Sequence, residues 1–435
     1  MNRILISVMA VFTFIAAPLR ADVDIQEVTS PNGLTAWLVE DHTIPFMALR
    51  LGFEGGASLD REGKRGSVSL MMALLEEGTG ELDARGFTQA VDELATSFNF
   101  DASDDSVSVS ARMLSENRDE AIALLKGAIS APSFEQKAID RVKAQIVSIV
   151  QSDLKDPNKI ARRAFEKAAF GDHPYGSDVN GTVEQIGALT REDIQNAHRD
   201  TMALDRIFIS AVGDITAEEL GTLLDTLLGD LPTTGAEMPT RVEVGLEPGV
   251  TVVPFDTPQS VALFGHRGLK RDDPDFFAAF IANTILGGGG FDSRLMDEVR
   301  DKRGLTYGVY SYLAPKDHSE LLVGQVASAN DRIGAAIDVI KDEWSKIAQD
   351  GVTQAELDHS KTFLTGAYPL RFDGNGPIAN ILVGMQMQRL PIDYANTRND
   401  KVNAVTLEQI NRVIKEVYLP DELHFTVVGK PDGLE

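Results

Sequence analysis

The side chains that most often bind metals or move protons are unevenly supplied in this 435-residue chain: seven histidines, 66 aspartates and glutamates, and no cysteine. The histidines are His42, His173, His198, His266, His318, His359 and His424. The closest two, His173 and His198, stand 25 residues apart, so no helix can present two imidazoles at i and i+4. Without cysteine there is neither a thiolate site nor a disulfide. The glycine run Gly287-Gly288-Gly289-Gly290, in "LGGGGFDSRL", lacks the Gly-Lys-Ser/Thr ending and the spaced glycines that cradle phosphates. No Gly-x-Ser-x-Gly elbow is present, and nothing in the spacing of the carboxylates marks a catalytic pair.

The stretch "GSVSLMMALLEEGTG", residues 66–80, reads as a short helix that is apolar on every face and therefore buried. The elements around it repeat. Residues 189–213, "LTREDIQNAHRDTMALDRIFISAVG", align without a gap on residues 405–429, "VTLEQINRVIKEVYLPDELHFTVVG", at an offset of 216. Thr190/Thr406, Glu192/Glu408, Ile194/Ile410, Asp205/Asp421, Val212/Val428 and Gly213/Gly429 are identical pairs. Each copy has a Thr N-cap, a helix, a turn at Asp and a β-rich strand ending at Gly, which predicts a duplication.

Strand patterns fall at 35–39, 48–53, 106–113 and 206–212, and again at 251–255, 261–265, 308–313, 321–327 and 424–428. A long helical pattern runs over 134–170 with a break near Asp156-Pro157, and Thr216/Glu219 and Thr353/Glu356 have capping-box spacing. The expected fold is α+β: two homologous layered domains, each a mostly antiparallel sheet with helices on one face. The expected division is 22–232 and 249–435, joined by a Pro/Gly-rich linker at 233–248.

Residues 1–21 read as a secretory signal peptide, with Arg3 ahead of an apolar stretch and a small residue, Ala21, before the cut. The expected location is the periplasm, with no integral membrane segment. Its removal takes the formal net charge from −25 to −27, which argues against nucleic acid and anionic lipid as partners.

Several segments together resemble the insulinase (pitrilysin) family of zinc peptidases. "FEGGASLDREGKRGSVSLMMALLEEGTG" is similar to the family's N-terminal signature, and "GGGGFDSRLMDEVRDKRGLTYGVYS" to that of its C-terminal half. "GDHPYGSDVNGT" and "GAYPLRFDGNGPIANILVGM" resemble further family segments. In active members the N-terminal helix carries His-x-x-Glu-His, two zinc ligands and the base that activates water. The resemblance puts Ser69, Met72 and Ala73 at those positions and Gln145 at that of the third ligand, a Glu. None of them can replace the family residue, so no metal is expected in this chain.

The second signature is intact. The resemblance assigns Arg300 and Tyr307 to contact the scissile carbonyl of a peptide, where a cation and a neutral hydroxyl can stabilise a developing oxyanion. Read without the family, such a pair is surface plus core. The Gly287–Gly290 run occupies the place of a longer substrate-handling loop in the non-catalytic chain of the mitochondrial processing peptidase; read without the family, it is a turn between helices. Loss of the zinc half with retention of the carbonyl-binding half implies the non-catalytic subunit of a heterodimeric peptidase. Zinc is then expected in a homologous partner chain, peptides are the substrates, and no autonomous activity is expected. The alternative is a purely structural or peptide-binding member, like the core proteins of the respiratory cytochrome bc complex.

Overall fold

The computed structural model describes residues 23–434; the expected signal peptide lies outside them. The first half holds β1 (Gln26–Thr29), β2 (Thr35–Glu40), β3 (Phe46–Glu54), a two-rung hairpin of β4 (Gly78–Thr79) and β5 (Leu82–Asp83), then β6 (Ser97–Ala102), β7 (Ser106–Leu114) and β8 (Ile207–Gly213). The second half holds β9 (Gly249–Pro254), β10 (Gln259–Arg267), β11 (Val309–Lys316), β12 (Ser319–Ala329) and β13 (His424–Gly429).

The first sheet runs β1-β2-β8-β3-β7-β6 and the second β9-β13-β10-β12-β11. Apart from the extra strand β1, the two orders correspond strand for strand. Each contains one parallel pair in the same place, β2/β8 and β9/β13, and is otherwise antiparallel. The aligned repeat accounts for part of this correspondence. Thr190 caps the helix Arg191–Thr201 ahead of β8, and Thr406 caps the helix Leu407–Val417 ahead of β13. The capping boxes at Thr216 and Thr353 also form, and Asp156-Pro157 separates the helices Gln136–Asp153 and Pro157–Phe170.

Each sheet packs its own helices on one face. In the first half Leu49, Leu51 and Val109 meet Leu70, Ile139, Ile194 and Leu224. In the second, Phe264 and Phe425 stack at 5.2 Å, and Trp344 meets Phe264 edge-on at 5.7 Å. Burying one such large side chain stabilises by about 1.5–3 kcal/mol.

The other face of each sheet carries a helix from the opposite half. Asn375–Met387 lies across β3 and β8, packing Leu382 and Met385 against Ala48 and Val212. Ser210 Oγ donates to the Ala379 carbonyl at 2.7 Å. Gly52 makes room for this helix: a Cβ there would stand 2.8 Å from Val383 Cγ1 and 2.9 Å from Met387 Sδ. Reciprocally, Pro157–Phe170 crosses β10 and β13, with Ala161 and Phe165 on Val261, Leu263 and Val428. The expectation of helices on one face thus holds for each half's own helices, and the exchange adds a layer to both sheets.

Residues 232–248 contain neither helix nor strand. They form a fastened strap. Arg206 donates to the Ala236 carbonyl at 2.7 Å, Arg241 pairs with Glu320 at 2.6 Å, and the amides of Val242 and Gly245 donate to the carbonyls of His318 and Ala169. Val242, Val244 and Leu246 turn inward onto the core shared with the Pro157–Phe170 helix.

Candidate functional site

The helix Ser67–Leu74 forms where the apolar run predicts it, with Leu70, Met71, Met72 and Leu74 at 1% exposure or less. Its N-terminal amides have no side-chain cap of their own. Asp60 supplies one from outside, accepting from Gly66 N and Val68 N at 2.9 Å and from Ser67 Oγ at 2.6 Å. Burial raises the Asp60 carboxyl above the usual range, against the pull of these bonds and of Arg65. Sequence reasoning missed this residue, because an Asp seven positions before the first helical residue is brought to the helix end only by the fold of the intervening loop.

Ser69 and Ala73 lie one turn apart on the partly exposed stripe of the helix, and Met72 points into the core. Ser69 Oγ donates to the Val179 carbonyl at 3.0 Å. Gln145 is exposed on the neighbouring helix Gln136–Asp153. A hydroxyl already committed to a carbonyl, a methyl, a thioether and an amide do not fit a zinc ion. Among the described residues no group of three or more His, Asp or Glu could hold one. Glu77, three residues beyond the end of the Ser67–Leu74 helix, forms an ion pair with Arg141 of the neighbouring helix.

Arg300 and Tyr307 sit in an irregular part of the second half. The helix Phe276–Asn283 widens to π geometry at Thr284–Gly288, and Met296–Asp301 is a second π segment. Such wide turns interrupt regular packing and are frequent at functional sites. Gly287 is needed for close packing, since a Cβ would meet Ser311 Oγ at 2.3 Å and Ser311 N at 2.9 Å. Gly288 and Gly290 are exposed, and Gly289 is partly so.

Around Arg300 the local acids are neutralised by other cations. Lys302 pairs with Asp297 at 2.7 Å and with Glu298 at 2.6 Å, and together with Arg303 holds the Glu298 carboxyl down at about 2. Arg300 keeps one exposed partner, Asp301 at 3.1 Å, and stacks 4.8 Å above the ring of Phe291, itself 68% exposed. Tyr307 is 91% exposed, and no hydrogen bond to its hydroxyl is found among the described residues. The loop carrying it is held on both sides. Thr306 Oγ1 donates to the Ala327 carbonyl at 2.6 Å and accepts from Gly308 N at 3.0 Å, and Leu305 N donates to the Val299 carbonyl at 2.9 Å. A fixed backbone thus presents a free phenol. Among the described residues no hydrogen bond or ion pair joins Arg300 or Tyr307 to the Ser67–Leu74 helix.

A polar seam, also missed in the sequence, links that helix to the second half. Arg65, 7% exposed, donates to the carbonyls of Asp178 and Ser177 and pairs with Asp104 at 3.0 Å. Lys316 pairs with the other oxygen of Asp104. Tyr175 donates to Asp105 and accepts from His318 N at 3.1 Å. Burial alone would lower the Lys316 pKa, but Asp104 lifts it above the usual lysine range. Burial pushes the nearby Glu166 carboxyl up to about 7. Tyr175 lies within the segment "GDHPYGSDVNGT" that carried part of the family resemblance.

Comparisons with known proteins bear on the family and the fold. The description "Insulinase (Peptidase family M16)" matches residues 35–183, and "Peptidase M16 inactive domain" matches 188–364. A "Non-peptidase homolog YmxG" from Helicobacter pylori is 28% identical over 390 residues, 90% of each chain. An "Uncharacterized zinc protease YmxG" from Bacillus subtilis is 22% identical over 91% of this chain and 96% of its own. The crystal structure of a peptidase M16 inactive domain from Pseudomonas fluorescens superposes with a TM-score of 0.88 at 27% identity, over 95% of this chain and 99% of that one. The structure of a protease from Helicobacter pylori, at 18% identity, shares the fold with a TM-score of 0.83 over 93% and 99% of the two chains. With two insulinase-like domains and matches to family models in both halves, the chain belongs to the insulinase family, peptidase family M16.

Proposed function

We propose that this chain is the non-catalytic subunit of a periplasmic heterodimeric zinc metallopeptidase that degrades peptides. A homologous partner brings the zinc site, and this chain brings Arg300 and Tyr307 to the substrate carbonyl held there. The observation that carries the reading is the state of Tyr307: 91% exposed on a loop fastened at Thr306 and Gly308, with its hydroxyl unengaged. A phenol in that setting is available to a group outside the chain. Its neighbour in the signature, Arg300, is a permanent cation with donors to spare. Donors aimed at an oxygen that gains negative charge stabilise the transition state more than the ground state.

The exposed backbone of Gly288 and Gly290 offers a peptide a close approach beside Phe291, which supports a substrate-binding role for Gly287–Gly290. The names "inactive domain" and "non-peptidase homolog" carried by similar proteins support the absence of an autonomous site.

The deciding experiment is reconstitution. The chain is purified alone, and with a homologue from the same source that bears His-x-x-Glu-His, and each preparation is assayed on a fluorogenic peptide. Activity in the mixture that neither chain shows alone is expected. Full activity of the homologue alone would overturn the reading in favour of a structural or peptide-binding member.

A further inference from the structure

We propose that the cleft between the helices Phe276–Asn283, Asn375–Met387 and Tyr394–Ala404 binds a carboxylate carried on an apolar body, the free C-terminus of a peptide ending in an apolar side chain. The cleft encloses about 330 Å³, and neither Arg300 nor Tyr307 lines it. Three arginines do, Arg271, Arg371 and Arg398, and no aspartate or glutamate lines it. In a chain with 66 acidic and 41 basic residues, cations are usually claimed by carboxylates, as Arg65, Arg241 and Arg412 are here.

Among the described residues none of the three cleft arginines forms an ion pair. Arg271 donates to Gln388 at 2.9 Å and to the Tyr394 hydroxyl at 2.8 Å, and lies 4.2 Å over the ring of Phe276. Arg398 is 7% exposed. It donates to the Leu364 carbonyl at 3.0 Å and to Asn399 at 3.1 Å, and stacks 4.5 Å from the Tyr368 ring. Ring faces and a helix-end carbonyl offset part of its charge, yet burial still pulls its pKa below the usual arginine range. A buried cation without a counter-charge gains most from an incoming anion.

The planar fork of a guanidinium matches the two oxygens of a carboxylate. The remaining walls, among them Ile381, Met385 and Leu390, suit the apolar body behind it. The cleft offers neither a lysine nor a serine or threonine hydroxyl, so the fork geometry of its cations is the feature a ligand must satisfy.

The test is calorimetry on the mature full-length chain with N-acetyl-leucyl-phenylalanine as the free acid, the same peptide as its C-terminal amide, and N-acetylphenylalanine. Saturable binding of the free acid is expected, with the amide weaker by about tenfold or more, the scale of one charged hydrogen bond. Arg398→Leu removes the buried cation but endangers folding. Exposed Arg371→Gln is therefore the deciding variant, expected to weaken the acid about tenfold with an unchanged melting temperature. Tighter binding of the dipeptide than of N-acetylphenylalanine supports peptide ends as the source, and equal binding supports small carboxylic acids. No saturable binding, equal binding of acid and amide, or an unaltered Arg371→Gln isotherm would overturn the proposal.

Discussion

Lys316, at the end of β11, lies 2.8 Å from Asp104 in the turn between β6 and β7, and its ammonium sits 4.2 Å from the centre of the Tyr175 ring. One contact therefore ties a strand end of the second half to a hairpin turn of the first. Both partners are mostly covered, with side chains 21% and 15% exposed. Asp104 also holds Arg65, so its loss takes a counter-charge from two cations, of which Arg65 keeps Asp60 at 3.5 Å, while the loss of Lys316 leaves a carboxylate that keeps a partner. Breaking a buried pair from one side costs about 3–5 kcal/mol. Asp104→Ala should reach that range in denaturant unfolding, and Lys316→Met should cost less. An Asp104→Ala loss below that of Lys316→Met would contradict the arrangement.

Two carboxyls at the seam are pH-dependent in the same sense, Glu166 and Asp317, the latter also raised to about 7 by burial and by Asp105. Burial raises Glu166 to about 7 from an ordinary 4.5. Between those values the folded chain holds a proton that the unfolded chain releases. Stability from this group is therefore present at low pH and is lost as the pH rises through 7. His173 and His318, which burial lowers, act in the opposite sense below their ordinary value, so the wild-type curve alone is not diagnostic. Glu166→Gln isolates the effect: it should raise the melting temperature most at pH 8, by less as the pH falls, and little at or below pH 4.5. A pH-independent difference between the two proteins would refute the assignment.

The degenerate helix gives a metal prediction. Elemental analysis of the purified chain should find no stoichiometric zinc. Ser69 and Ala73 share the partly exposed stripe, and Gln145 is exposed on the adjoining helix. Ser69→His, Ala73→His and Gln145→Glu together should therefore create a zinc site with little loss of core packing. Met72 stays untouched because it is buried at 1% exposure. Failure of the triple variant to take up zinc would mean that the two helices are set differently from those of zinc-bearing members.

For Arg300 and Tyr307 the prediction concerns the reconstituted complex. Tyr307→Phe removes one exposed hydroxyl without touching the packing, so assembly and melting temperature should not change. The kcat should fall about 10²–10³-fold, the usual effect of one missing oxyanion donor. Arg300→Ala should lower it at least as far, with KM moving less than kcat in both. Near-normal activity of both variants in an intact complex would favour the structural alternative.

The duplicated helix–turn–strand unit was legible because Thr caps, apolar helical spacing and alternating strands are local signals, and both copies display them. β6 was harder to see: Ser97–Ala102 alternates Phe98 and Phe100 with Asn99 and Asp101, polar residues that strands usually avoid but that suit the outer row of a sheet. The exchange of helices left no local trace. The apolar stripe of Pro157–Phe170 announces burial without saying which sheet receives it, and Gly52 in β3 acquires its meaning only beside Val383 and Met387. In the site, lost ligands could be read residue by residue. The Asp104–Lys316 seam could not, because its members come together only through tertiary structure.

The exchange also sets a timetable for the growing chain. Ser210 must wait for Ala379, 169 residues later, before its hydroxyl finds a partner. At about 5–20 residues per second that is roughly ten to thirty seconds of synthesis. Until then Trp37, Ala48 and Val212 form a naked apolar surface on the outer side of an otherwise complete sheet. During that interval the first half is a client for any holding chaperone and a seed for aggregation, and a truncation ending at residue 232 would make that condition permanent.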